Sequence, residues 1–443
     1  MVKDSGHMPV LNRAGGGPVI AAPPAVGELE NAFLQPVIAS GRWGFDNPGG
    51  LPLEAGLELD PAVAEALGVE QARAAAEFAA YQGLDHAVPV ANGTRALVVA
   101  LMAASVLAAE TGKRALVPGG KVLVAGLTWQ ATAAAPLDRR LAPVLVDVDP
   151  RSGVVDAETI ASILAADHNA EIVAVVLPHL YCRMVDMPRI AELCEEFGVV
   201  SIEDCAHAHG GRTGGRAAGA IADLGTWSFQ GSKSVTCGEG GMVTTRHAEL
   251  VDQLVSIVTC GRAVGRSRPF QAGNERLGAL PAALLRAQLR RFYRDQLSTK
   301  QRVLAEFEAL LGELDGVRAM APQPHVDRQI TYKALASFDL ASFGRRALPE
   351  LAAEYSRLLG CEVATLYDPL NHSDLYLPHT DPANHWSARF AAAVDPSRFD
   401  LPGAHELRRG TLAFEHAALL DETFPARFRQ ATERLRSTTA AMR

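Results

Sequence analysis

The chain has 443 residues, 48% hydrophobic and 21% charged, and carries a formal net charge of −8. That length fits two or three domains, or one large and one small lobe, and the composition is that of an ordinary globular protein. The acidic balance argues against nucleic acid or an anionic membrane as the main partner.

The six cysteines (Cys182, Cys194, Cys205, Cys237, Cys260 and Cys361) make no CxxC pair and no zinc-like spacing. They read as reduced thiols of a cytoplasmic protein, with no metal site expected. The N-terminal MVKDSGHM lacks the hydrophobic core of a signal peptide. The longest apolar stretch, Ala96 to Ala109, is about 14 residues and interrupted by Ser105, too short to span a bilayer.

In chain order, residues 1–55 read as a Pro/Gly-rich arm with one helix over Val26 to Ser40 and an aromatic cluster, Trp43-Gly44-Phe45. Such an arm buries little alone and lies across a lobe or reaches a partner. The alanine-rich run Pro61 to Tyr81 predicts a helix. A short strand follows, then the turn Asn92-Gly93-Thr94-Arg95 and a long buried helix. Asn92 is a capping residue, Gly93 permits close backbone approach, and a helix N-terminus holds phosphate well. An ordinary capped helix starts the same way, so the turn alone leaves both readings open.

KVLVAGLTWQATAAAPL predicts a strand and a helix with Thr128 and Trp129 at the junction. Further strands are expected in LAPVLVDVDP, EIVAVVLPHLY and VVSIEDCA, and helices over Ala157 to Ala166 and Pro188 to Phe197. This alternation predicts an α/β fold with a mostly parallel sheet covered by helices, its ligand beyond the carboxyl ends of the strands. Thr94, Trp129, Pro178-His179, Asp204 and Lys233 all fall at that edge. A large domain is expected over 56–285 and a smaller C-terminal α/β lobe over 286–443, with a strand at 330–338 and helices over 347–360 and in the last 20 or so residues.

Residues 199–245 carry the chemistry. An apolar run ends in Asp204, followed after two residues by His207-Ala208-His209, and the strand-like LGTWSFQ delivers Gly231-Ser232-Lys233. An acid ending one strand and a lysine just past the next is what a pyridoxal phosphate site requires. The lysine amine condenses with the aldehyde, and the carboxylate keeps the pyridine nitrogen protonated. One of the two histidines faces the cofactor, His207 being favoured and His209 structural. Arg262, Arg266, Arg268 and Arg276 either bind a substrate carboxylate or belong to a solvated loop.

NGTRAL, LTWQATAAAPL, PVLVDVDP, PHLYCRMVDM, EDCAHAHG, SFQGSKSVTCGEGGMV and GNERLGALPAALLRAQL occur in the order of the blocks of a known family. The chain resembles the DegT/DnrJ/EryC1/StrS pyridoxal-phosphate sugar aminotransferases, over roughly residues 11–300 well and loosely beyond. It looks closest to the glutamine-dependent keto-cyclitol (inosose) aminotransferases and the 3-amino-5-hydroxybenzoate synthases.

The resemblance implies a fold type I architecture and a homodimer with shared active sites. It implies pyridoxal 5'-phosphate as cofactor, passing through pyridoxamine 5'-phosphate. Lys233 matches the Schiff-base lysine and proton carrier, and Asp204 the partner of the pyridine nitrogen. His207 matches the position facing the phenolic oxygen, and Trp129 the aromatic on the ring face. Gly93, Thr94 and Ser228 match phosphate contacts at the helix start that Arg95 shares. Asn274 matches the phosphate contact made from the neighbouring subunit.

The implied reaction is ping-pong transamination from L-glutamine or L-glutamate to a keto-cyclitol or keto-sugar, in antibiotic or aminosugar synthesis. Alternatives are a 3-amino-5-hydroxybenzoate-synthase-like dehydratase and a non-catalytic cofactor-binding regulator. Retention of Lys233, which dehydrating members often replace by histidine, favours amino transfer. Two departures from the family pattern stand out. Glu275 sets an acid beside Asn274, and Cys182-Arg183 replaces a glycine and a neutral residue, which predicts an altered substrate side.

Overall fold

A computed structural model describes residues 24–440, with the two-residue strands Leu11–Asn12 and Pro18–Val19 ahead of them. MVKDSGHM and the Gly15–Gly17 run of the expected arm lie outside the described residues.

Seven strands form the central sheet: β1 His86–Val90, β2 Lys121–Ala125, β3 Ala142–Val146, β4 Ile172–Pro178, β5 Val200–Asp204, β6 Leu224–Ser228 and β7 Gly241–Thr245. Their order is β1-β7-β6-β5-β4-β2-β3. β7 runs antiparallel to both neighbours, and the other four pairings are parallel. β4, β5 and β6 are buried along their whole length, as strands covered on both faces must be.

The helix Gly93–Thr111 packs on β6 and β7. Asn92 accepts a hydrogen bond from the Arg95 N–H at 2.9 Å to start it, and Gly112, at φ 74°, ends it in the left-handed conformation. It is long and apolar enough to cross a membrane, but 67% of its apolar window is buried inside the protein, where it serves as a core helix.

The expected arm helix forms over Glu28–Ser40 and lies on the helix Ala279–Arg291. Glu30 receives two hydrogen bonds from the Arg291 guanidinium, at 2.9 and 2.8 Å. Arg286, fully buried, ties Glu70 and Glu77 together and bonds the carbonyls of Leu51 and Pro52. The arm is thus fastened both by buried charge and by an apolar contact of Leu34 and Val37 with Ala279, Leu280 and Ala283.

One helical run carries the chain from the sheet to the small lobe: Ala279–Arg291, a π turn at Phe292–Gln296, then Leu297–Leu311. The lobe holds a four-stranded antiparallel sheet, β8 Val317–Arg318, β9 Ala334–Phe338, β10 Val363–Thr365 and β11 Thr411–Phe414, in the order β8-β9-β11-β10. Phe307, Tyr355, Phe414 and Phe428 interlock between that sheet and the helices Leu348–Leu359 and Phe424–Ala440.

Candidate active site

The carboxyl ends of β1, β2, β4, β5 and β6 open onto one cleft of about 640 Å³. Its walls include Gly93, Thr94, Arg95, Trp129, His179, Asp204, His207, Ser228 and Lys233. Of the residues singled out in the sequence for cofactor binding, all but Asn274 reach this space.

At one end stands the N-terminus of the core helix. A Cβ on Gly93 would fall 2.6 Å from the Cβ of Ser228, so glycine is what lets the helix start abut the end of β6. The first-turn N–H groups and the Ser228 hydroxyl share this corner, a cradle for an anion. Arg95 sits at the rim with its guanidinium engaged by Glu275, at 2.7 and 2.6 Å, and by Asp138 at 2.9 Å. Glu275 therefore serves as the partner of Arg95.

Asp204 ends β5 and is buried. Burial raises its carboxyl above the usual range; the Thr132 hydroxyl (2.7 Å), the Ala206 N–H (3.1 Å) and the charge of Lys233 pull it back. Thr132 is itself within 2.9 Å of the Thr128 hydroxyl. Lys233 follows β6, its backbone N–H bonded to the Gln230 carbonyl at 2.9 Å. Burial lowers its amine to about 8, the Lys333 charge adds to that, and Asp204 opposes it. A carboxylate and an amine poised near neutrality share one cleft.

His207 is held neutral, chiefly by burial and then by the Lys233 charge. Its Nδ1 accepts the Tyr181 N–H at 3.1 Å, which leaves the ring proton on Nε2. His209 points elsewhere, buried among Trp227, Phe229 and Phe292 and lowered by burial to about 3.

His179, Glu203 and Cys205 lie together in the core with ligand atoms within 4.8 Å of one another. Glu203 already accepts from the N–H groups of Gly219, Ile221 and Ala222 and from His179 Nε2, while His179 Nδ1 accepts from Val185. Their polar atoms are satisfied, so the cluster locks the strand ends.

The structure corrects one expectation. Cys182 and Arg183 are buried and do not line the cleft. Arg183 instead bonds the carbonyls of Ser152 and Ala321, riveting the two lobes together. Arg262 and Arg276 lie over the Phe45 ring and Arg268 pairs with Glu110; none of these, nor Arg266, lines the cleft. Asn274 is likewise outside the cleft of its own chain, its Oδ1 accepting the Arg276 N–H at 3.3 Å.

Three contributors escaped the sequence reading. Thr132 sits four residues after Thr128, a spacing that puts both hydroxyls on one helix face, and this was a usable signal. Tyr332 and Tyr367 come from the small lobe and had none. Tyr332 lies under His207 with ring centroids 3.9 Å apart, and Lys233 Nζ is 5.1 Å from its centroid. Tyr367 lines the cleft 5.6 Å from the Trp129 ring.

Residues 62–409 match the model of the DegT/DnrJ/EryC1/StrS aminotransferase family. The chain belongs to that family. Among DegT/DnrJ/EryC1/StrS proteins it is 32% identical to an L-glutamine:2-deoxy-scyllo-inosose aminotransferase of Streptoalloteichus tenebrarius, over 90% of this chain and 89% of that one. It is 33% identical to the L-glutamine:scyllo-inosose aminotransferase of Streptomyces griseus, over 78% and 81% respectively. Of solved structures, 3-amino-5-hydroxybenzoic acid synthase superposes with a TM-score of 0.73 at 25% identity, covering 96% of this chain and all of that one. DesV of S. venezuelae, solved with a ketimine intermediate, gives 0.71 at 26% identity, over 92% and 94%. The α/β architecture with a mostly parallel sheet is that of the family's aminotransferases.

Proposed function

We propose that this family member is a pyridoxal-phosphate aminotransferase that moves an amino group from L-glutamine to a keto-cyclitol of the inosose type. The observation that carries the reading is the buried Asp204 and Lys233 in one cleft with the Gly93–Ser228 anion cradle. That donor set fits the group. A carboxylate stands ready for the ring nitrogen, an amine for the aldehyde, and a helix start with a hydroxyl for the phosphate. When bound, the cofactor draws electrons from the substrate carbon.

The chain's own residues do the rest. Lys233, neutral above about 8, would hold the cofactor's aldehyde and would take and return the substrate proton through Nζ. Asp204, oriented by Thr132, keeps the ring nitrogen protonated. His207 offers its Nε2 proton toward the cleft. Trp129, 45% exposed, supplies an aromatic face, with Tyr367 beside it to narrow the acceptor's entry. The same residues serve both half-reactions, so ping-pong kinetics follow.

Donor and acceptor rest on the relatives, which are named for L-glutamine and for inososes. The outward-facing Asn274 supports a homodimer in which each chain completes the other's cleft. The likeness to 3-amino-5-hydroxybenzoic acid synthase keeps a dehydrating role as the second reading.

Incubating the protein with pyridoxal phosphate, L-glutamine and 2-deoxy-scyllo-inosose decides between them. An aminocyclitol and the keto acid of glutamine, formed in equal amounts, support amino transfer. Cofactor binding with no amine product from inososes overturns it.

A further inference from the structure

A second, much smaller cavity of about 10 Å³ touches Lys233, and its other walls include Ser234, Lys300 and His416. That is room for one water molecule. The arm closes it: Ala25 is among its walls, and its carbonyl accepts a hydrogen bond from Gln288 at 2.8 Å.

Lys300 and His416 are both buried, and neither lines the cleft. Lys300 Nζ lies 2.8 Å from His416 Nδ1 and 5.5 Å from the centre of the Phe292 ring. A lysine amine bonded to a ring nitrogen is the donor, so Nδ1 accepts and the imidazole proton sits on Nε2. That Nε2 closes no hydrogen bond among the described residues; Glu415 Oε1, 3.3 Å away, is outside bonding geometry. Ser234 Oγ, one residue past Lys233, is also buried and unpartnered. The backbone of Ser232, one residue before Lys233, bears on the same imidazole and favours its protonated form. Two residues with orphaned polar atoms, Ser234 and His416, therefore line a space of one water that Lys233 also touches.

We infer that Lys300 and His416 brace the Ser232–Lys233–Ser234 segment, with one buried water bridging His416 Nε2 and Ser234 Oγ. The inference rests on Lys233 being the cofactor lysine of the proposed function. Lys300 and His416 are positioning residues. Burial lowers the Lys300 amine to about 7 and the His416 imidazole far below its usual range, so the imidazole is neutral beside the amine. A lysine that leaves and returns to the same atom depends on a fixed backbone, since a displacement of about 1 Å costs on the order of 100-fold in rate.

A crystal structure of the full chain with cofactor bound tests the water directly. It is expected within hydrogen-bond distance of both His416 Nε2 and Ser234 Oγ; a dry cavity overturns the bridge. In parallel, His416→Phe and Lys300→Met are expected to lower kcat about 10-fold, with KM for L-glutamine within about twofold. They also shift the pH midpoint of the cofactor–lysine absorption by at least about half a unit. His416→Gln, which keeps one acceptor and one donor, is expected to restore most of both. Equal effects of Phe and Gln, or no spectral shift, overturn the brace. If Lys300→Met does not fold, the His416 pair and the crystal structure still decide. Loss of the cofactor band in the unsubstituted protein would instead refute the reading of Lys233.

Discussion

His207 lies nearly flat on Tyr332, the ring centroids 3.9 Å apart and the planes 24° from parallel. The histidine comes from the loop after β5 and the tyrosine from just before β9, so the small lobe backs the large domain's site. The Tyr332 hydroxyl meets Ser232 Oγ at 3.4 Å, a weak contact, and the Tyr367 side chain, while its ring supplies the face on which His207 rests. Tyr332→Phe is expected to change kcat by less than about 3-fold. Tyr332→Leu removes the face that holds His207 and is expected to cost about 10-fold or more. Steady-state kinetics of the two variants check this.

Thr132 tunes Asp204. Thr132→Val keeps the volume and deletes the 2.7 Å hydrogen bond to a buried carboxylate, a bond of about 1.5–3 kcal/mol. Because that bond stabilises the ionised acid, its loss raises the carboxyl further. The acid limb of the kcat/KM profile is expected to move to higher pH, with a fall of about 10-fold at the optimum. An unmoved acid limb would show that Asp204 is not the group being titrated.

Lys233 titrates far below an ordinary lysine because burial disfavours its charged form. In cofactor-free protein, the rate of pyridoxal phosphate capture is expected to rise about tenfold per pH unit and level off near 8. Asp204 holds the amine up, so Asp204→Asn is expected to move that midpoint down. Stopped-flow absorbance across pH measures both.

Arg286 is buried between Glu70 and Glu77, and removing it leaves two carboxylates in the core. Arg286→Leu is expected to destabilise by about 3–5 kcal/mol and to loosen residues 24–55, which it ties down through Leu51 and Pro52. Urea unfolding and limited proteolysis report the two effects separately.

Much of this was legible in the sequence because local pattern and local structure coincide. Asn92-Gly93-Thr94 opens the core helix, Asp204 ends a fully buried strand, and Lys233 sits in the turn beyond the next strand. The small lobe's share was not legible. Tyr332 backs His207 and Tyr367 reaches the cleft from nearly 100 residues downstream of the lysine or more, through packing that no period encodes. Arg183 misled for a related reason. Its position beside family blocks suggested the substrate side, whereas its guanidinium turns inward to bond the carbonyls of Ser152 and Ala321.

The absorption spectrum of the purified protein with pyridoxal phosphate, recorded before and after L-glutamine, tests the role of Lys233 most directly. A band at roughly 410–430 nm that collapses to about 330 nm on adding L-glutamine, and is absent in Lys233→Ala, is the expected result. No band in the unsubstituted protein, or the same band in Lys233→Ala, would contradict it.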